Sequence, residues 1–476
     1  MLKHIRIGKR AKTPIIISII TIIGTIIVMP FSESIDAQYI AILITVAYIF
    51  MFYSWKRISC RIELYILFLL CTYLFYYGRY FLLFINYNKY ISKLGEYGSV
   101  GFINYVSVFT LLCIEVMHMF YIIFSCRKLK KKVLFENRKC TSLSVGIVAW
   151  LMFCVSFFFS IRILLMNIAN TRMFGYAYTL QTYYSGYRVE RFFSNFLPGA
   201  FILLFLQYKN KRFMRGIVSG LLLVYLVLYF LSGSRLQAVL LIFALILVLE
   251  YEFKHFNRKR LVKLGGILLL LCFVLIVISS LRNGIQNSSS MTEAIRTLKD
   301  GSEDNFITKL LSECGFQIYS IAVVIKNCPS NIPYNYGLTY LKGIGQLMPN
   351  LFWSQNPFMQ ESIDTIFAFY LNGGTYGIGS SYIAEAYYNF GYFAILFMPL
   401  VGILFAKYRK LVEVCYLKQS KNIMSRYFLM SIPTYVLFYV RSDAVGFFKS
   451  LVYQSVLPCI AIIFIDRLFI RRGKKR

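Results

Sequence analysis

Residues 372–391 read Asn-Gly-Gly-Thr-Tyr-Gly-Ile-Gly-Ser-Ser-Tyr-Ile-Ala-Glu-Ala-Tyr-Tyr-Asn-Phe-Gly, a glycine-rich loop that runs into an apolar helix. Glu385 and Asn389 stand four residues apart just inside that helix, so they share one of its faces. A carboxylate at the shoulder of a membrane helix is costly unless it faces protein, water or substrate. The glycines before it let the backbone bend closely around a polar group. The stretch therefore marks both a membrane boundary and the first place to look for function.

Working outward, the chain is built for a bilayer. Hydrophobic residues make up 58% of its 476 positions and charged residues only 15%, too few to solvate a soluble surface of that length. Apolar runs of about 20 residues recur along the chain. About twelve spans are expected, near 14–30, 38–55, 62–86, 99–124, 142–166, 193–208, 214–232, 234–250, 262–280, 382–406, 427–441 and 446–466. The reading is an all-α, polytopic integral membrane protein. Residues 1–280 hold nine helices, 281–381 form one large outer loop, and 382–476 hold three helices and a basic tail.

Charge fixes the orientation. The formal net charge of +32 would point to nucleic acid in a soluble protein. Here most of the 52 basic residues fall into clusters at the N-terminus, 56–61, 127–139, 209–215, 254–263, 407–426 and 467–476. Twelve spans with both termini inside put all of them in the cytoplasm, as the positive-inside rule requires. The intervening loops carry Glu33, Asp36, Glu96, Glu190, Glu303 and Asp304. No nucleic-acid partner is expected.

Against that bias, several arginines face outward, among them Arg172, Arg188, Arg191, Arg235 and Arg441. A guanidinium fork matches phosphate in a bidentate fashion, and several converging on one face would hold a diphosphate. The plainer reading has each one snorkel to lipid phosphates or pair with Glu190 or Asp443. Tyr336, Tyr340 and Tyr382 crowd the same side. Their rings suit sugar faces, and equally the aromatic belt of any membrane protein. Glu115 and His118 read as a structural hydrogen-bonded pair within one span, with a proton relay as the alternative. The eleven cysteines show no metal spacing, and Cys314 and Cys328 read as unpaired thiols.

Ser232-Gly-Ser-Arg235 opening a span, Tyr336-Gly-Leu-Thr-Tyr340 before Pro349, and Gly377 to Gly391 together resemble the Wzy-type polymerases of O-antigens and capsules. The resemblance implies a metal-independent, cofactor-free glycosyltransferase in the bacterial cytoplasmic membrane. Its substrate would be an oligosaccharide repeat linked to undecaprenyl diphosphate, with a flippase and a chain-length regulator as candidate partners. Glu385, Arg235, Arg441 and Asp443 are then the expected catalytic set. Arg172, Arg188, Arg191, Tyr336, Tyr340, Tyr382 and Asn389 are the expected substrate-binding set. An O-antigen ligase ranks behind, because the large loop lacks the histidine typical of ligases. A lipid-linked oligosaccharide flippase ranks behind too, because its loops would be short.

The orientation is directly testable. A single cysteine at Ser289, in a background lacking the others, should react with a membrane-impermeant maleimide in intact cells. Reaction only after permeabilisation would invert the whole assignment.

Overall fold

A computed structural model describes residues 9–59, 61–85, 91–127, 140–185, 188–232, 235–253, 308, 311–312, 314–347, 358, 363–374, 377–417 and 422–473. Helices account for the regular structure among them, with no strand. In order they are α1 (Lys9–Val28), α2 (Ala37–Ile58), α3 (Leu64–Phe84), α4 (Val100–Ser125), α5 (Ser142–Ser185) and α6 (Arg188–Ser194). Then come α7 (Leu197–Gln207), α8 (Arg212–Leu231) and α9 (Arg235–Glu252). After them follow α10 (Ile318–Asn327), α11 (Leu338–Gly345), α12 (Ile363–Asn372), α13 (Tyr382–Phe390) and α14 (Ala394–Leu417). The last three are α15 (Ile423–Ser431), α16 (Ala444–Leu451) and α17 (Leu457–Gly473).

Ten helical runs among the described residues are long and apolar enough to cross a membrane, against the twelve expected. The run expected at 234–250 is a helix, α9, but it carries Arg235, Glu250 and Glu252 within 18 residues. The run at 262–280 lies outside the described residues.

One end of the bundle gathers the helix ends that flank the basic clusters. Arg409 on α14 donates to the Ile58 carbonyl at 2.9 Å and pairs with Glu63 at 3.1 Å. Lys410 bonds the Arg127 carbonyl. Glu252 receives Arg426 Nε at 2.7 Å and Lys209 at 3.3 Å. Thr141 is held by Asp466 through its N–H at 2.8 Å. The charge alternation read along the chain is therefore an alternation between two ends of one bundle.

The apolar interior has two parts, one around α2, α3, α4, α10, α13 and α14, the other around α5, α7, α8, α9, α15 and α17. In the first, α4 and α14 cross almost backbone to backbone at Gly402. A Cβ there would lie 2.2 Å from the Met117 carbonyl oxygen. Small residues at such crossings let membrane helices gain dispersion contacts that lipid does not offer.

Among the described residues of the large loop, α10 has Ile318 to Ile325 and Asn327 buried, packed among α3, α4, α12 and α13. Its apolar residues cover more than one stripe, and a helix apolar on several sides must be enclosed. The span expected at 382–406 is broken, with α13 ending before a short turn at Gly391–Phe393 and α14 starting at Ala394. Glu115 and His118 do not bond each other. His118 Nδ1 meets the Tyr65 hydroxyl at 2.7 Å, while Glu115 faces Thr21 and Thr25 of α1. Cys314 and Cys328 are not joined by a disulfide.

The crossing generates a paired expectation. Gly402→Ala should cost about 1–3 kcal/mol by overpacking. Gly216→Ala on α8, where a Cβ meets nothing within 4 Å, should cost nothing and gain helix propensity. Thermal midpoints of the two purified variants in detergent check this. Equal midpoints would mean that α4 and α14 do not cross this closely.

Candidate functional site

The chain directions place the site. α14 runs toward the basic end and α15 runs back from it, so α13 and the 441–444 turn meet at the opposite end. Ser381 caps α13, its hydroxyl accepting the Ala384 N–H at 3.0 Å. All of Tyr382 to Asn389 is buried, so Glu385 is enclosed in protein and has no contact with lipid.

Glu385 is 0% exposed, and its Oε2 accepts the Ala444 N–H at 2.7 Å. That N–H is one of the unsatisfied donors at the start of α16, where the helix dipole also favours a negative charge. Its Oε1 has no hydrogen-bond partner among the described residues. Thr339 and Tyr439 also face the carboxyl. Asp443 is the N-cap of the same α16, accepting the Gly446 N–H at 2.9 Å. Two carboxylates thus share one helix start, and Asp443 repels the charge on Glu385.

Arg441 sits two residues before Asp443 and runs along the glycine-rich turn. A Cβ on Gly379 would lie 3.1 Å from Arg441 Cγ and 3.2 Å from its Nε, and Gly379 has φ +74°. Only glycine meets both conditions without strain. The turn itself is pinned by Asp364 of α12, whose Oδ1 accepts the Gly379 N–H at 2.5 Å. Asp364 also takes the Ile378 N–H and attracts Arg441.

The other expected residues divide. Arg191 lies close enough to Lys449 on α16 to repel it, and its neighbour Phe192 packs on Tyr453 with ring centres 5.2 Å apart. Tyr340 stacks between Phe390 and Phe397 at 6.2 and 5.4 Å, its hydroxyl buried near Glu385. Tyr336 is 79% exposed at the rim. Tyr382 is fully buried, its hydroxyl 3.9 Å from Met117 Sδ and its ring 5.9 Å from that of Tyr439. Asn389 gives its amide to Thr339 at 2.7 Å and the Glu385 carbonyl at 2.8 Å, and takes the Gly337 N–H at 2.9 Å. That pattern staples α11 to α13. The side chains of Arg172, Arg188 and Arg235 lie outside the described residues.

Sequence reading missed Asp364, Gln317, Thr339 and Lys449. Lys449 was within reach, being a cation inside an apolar span, the same signal that singled out Glu385. The others carry no such mark, because a lone Asp, Gln or Thr beside a loop looks like ordinary surface.

Burial raises the carboxyls of Asp364 and Asp443 above the usual range; hydrogen bonds and the nearby Arg441 and Lys449 offset part of it. A raised acid keeps its proton longer when folded, so the folded state binds more protons above about pH 4. This contribution to stability is present below the ordinary carboxyl range and is lost as pH rises through the raised values. Asp443→Asn keeps the cap and should flatten the fall of thermal midpoint with pH. An unchanged slope in that variant would show that Asp443 is not perturbed.

No curated protein and no solved structure matches the chain. The family model described as O-antigen polysaccharide polymerase Wzy matches residues 14–473. With that match over nearly the whole of a bundle of membrane-length helices, the chain belongs to the O-antigen polysaccharide polymerase Wzy family.

Proposed function

We propose that this polymerase joins undecaprenyl-diphosphate-linked oligosaccharide repeats at the outer face of the bacterial cytoplasmic membrane, with Glu385 and Arg441 at the reaction centre. The observation that carries the reading is the enclosed Glu385 carboxylate. A buried carboxylate with one oxygen lacking a hydrogen-bond partner among the described residues is held by the Ala444 N–H, three residues after Arg441, whose side chain runs along the Gly379 turn. Family membership supports the reaction class.

In this reading the acceptor hydroxyl attacks the anomeric carbon of the growing glycan. The new carbon–oxygen bond forms as the bond to the diphosphate oxygen breaks, and undecaprenyl diphosphate leaves. Glu385 Oε1 orients the acceptor hydroxyl or takes its proton, while the Ala444 N–H holds Oε2 in place. Arg441 meets the charge that grows on the leaving diphosphate, with Lys449 and Arg191 as further cations and Arg235, Arg172 and Arg188 as candidates beside them. Asp443 keeps the 441–444 turn in register by capping α16. Tyr336 offers a ring face for sugars at the rim, Tyr340 packs behind it between Phe390 and Phe397, and both chain termini lie in the cytoplasm.

The test is polymerisation of purified lipid-linked repeats in vitro, with protein stability followed alongside. Glu385→Gln keeps a hydrogen-bonding oxygen but takes no proton, so turnover should fall by about 10²–10⁴-fold. Arg441→Ala should weaken substrate binding by about 1.5–3 kcal/mol, and lysine should restore charge without the fork. Near-normal turnover in Glu385→Gln would end its role as a base. Wild-type polymer from Arg441→Ala would move the diphosphate site elsewhere.

A further inference from the structure

Gln317 ends the short turn Gly315–Gln317 that leads into α10, and it is 1% exposed. Its Nε2 donates to Ser320 Oγ at 2.9 Å and to the Ser380 carbonyl at 2.8 Å. A carbonyl only accepts, and Ser320 Oγ gives its own hydrogen to the Gln317 carbonyl at 2.9 Å. Both contacts therefore require the NH₂ group, and the amide cannot be turned over. Oε1 must point the other way, where it has no partner among the described residues.

What lies that way is the bare Cα of Gly379. A Cβ at that position would be 3.1 Å from Gln317 Oε1 and 3.2 Å from Arg441 Nε. An acceptor with a locked orientation and a guanidinium thus flank one point, where only a residue without a side chain fits. In a glycosyl diphosphate, the substituent nearest the anomeric phosphate is the hydroxyl or acetamido group on C2. A group that sits beside a phosphate-binding arginine meets that substituent.

We propose that Gln317 Oε1 is a sugar-recognition group, accepting a hydrogen bond from the C2 hydroxyl or acetamido N–H of the sugar bonded to the diphosphate. The inference rests on Arg441 holding that diphosphate. It gives the site a way to distinguish a loaded lipid from the undecaprenyl diphosphate it releases, because only the loaded lipid carries the donor.

Two probes separate this from a role through Arg441: the lipid-linked repeat purified from the host, and undecaprenyl diphosphate without sugar. Gln317→Met matches the side chain in length and removes the acceptor. It should weaken binding of the repeat by about five- to tenfold, the size of one lost neutral hydrogen bond, and leave binding of undecaprenyl diphosphate unchanged. Equal weakening of both would overturn the proposal, since Gln317 would then act by positioning Arg441. Unchanged binding of both would overturn it as well. If Gln317→Met does not accumulate, Gln317→Asn decides: it keeps an amide but draws the oxygen back, so the preference for the repeat should fall, and a preserved preference refutes the proposal. Arg441→Ala, run in parallel, should weaken both probes. If it weakens neither, the diphosphate reading itself fails, a result the Gln317 variants cannot mimic.

Discussion

The candidate site of this protein depends on one hydrogen bond, from the Ala444 N–H to Glu385 Oε2. An ionisable group enclosed at membrane depth needs a donor there, and an unbroken helix has none to give. The donor exists because the chain breaks at Ser442 and Asp443 and restarts as α16, exposing fresh N–H groups. A helix start inside a membrane is tolerated only where protein encloses it. Accordingly α10 is buried against α13, and α11 packs against α16. A single buried carboxylate therefore accounts for the broken helices around it.

The opposite end follows a different rule. There, carboxylates are matched directly by cations: Glu63 with Arg409 and Tyr121, Glu252 with Arg426 and Lys209. Breaking one partner of such a buried pair is costly, so these clusters fix where helix ends meet. At the site end, Glu385 has no ion-pair partner among the described residues, and its charge is met by a backbone dipole. Fully paired charges hold geometry. A carboxylate held on one oxygen keeps chemistry available on the other.

Much of the architecture was legible because membrane physics writes it in composition. Run length gave most of the helices, since lipid acts on every residue alike. Glu385 and Arg441 were legible for the same reason, each violating the local rule at a span end. What stayed hidden depends on contacts between distant segments. Nothing near Asp364 signals that its carboxylate will receive the Gly379 N–H. Helix spacing aligned Tyr382 and Asn389 with Glu385, but it says which residues align and not what the face meets. Tyr382 meets Met117, and Asn389 meets Thr339 and Gly337. The break at Gly391 was hidden because the sequence on both sides is equally apolar.

The arrangement also explains why glycine recurs in the stretch that organises the site. Gly379 is squeezed between Arg441, Gln317 and the carboxylate of Asp364, three groups carried by three separate segments. Each of those segments reaches the turn from a different part of the bundle, so any side chain at 379 would have to push one of them away. The turn is thus the point where the large loop, α10 and the 438–441 turn are brought into mutual register. A polymerase must bind a bulky, variable glycan yet hold one glycosidic bond in a fixed place. On the proposed assignment, concentrating the rigidity in a backbone turn separates those two demands, with fixed dipoles and charges for the reacting bond and the exposed surface around Tyr336 for the rest of the glycan.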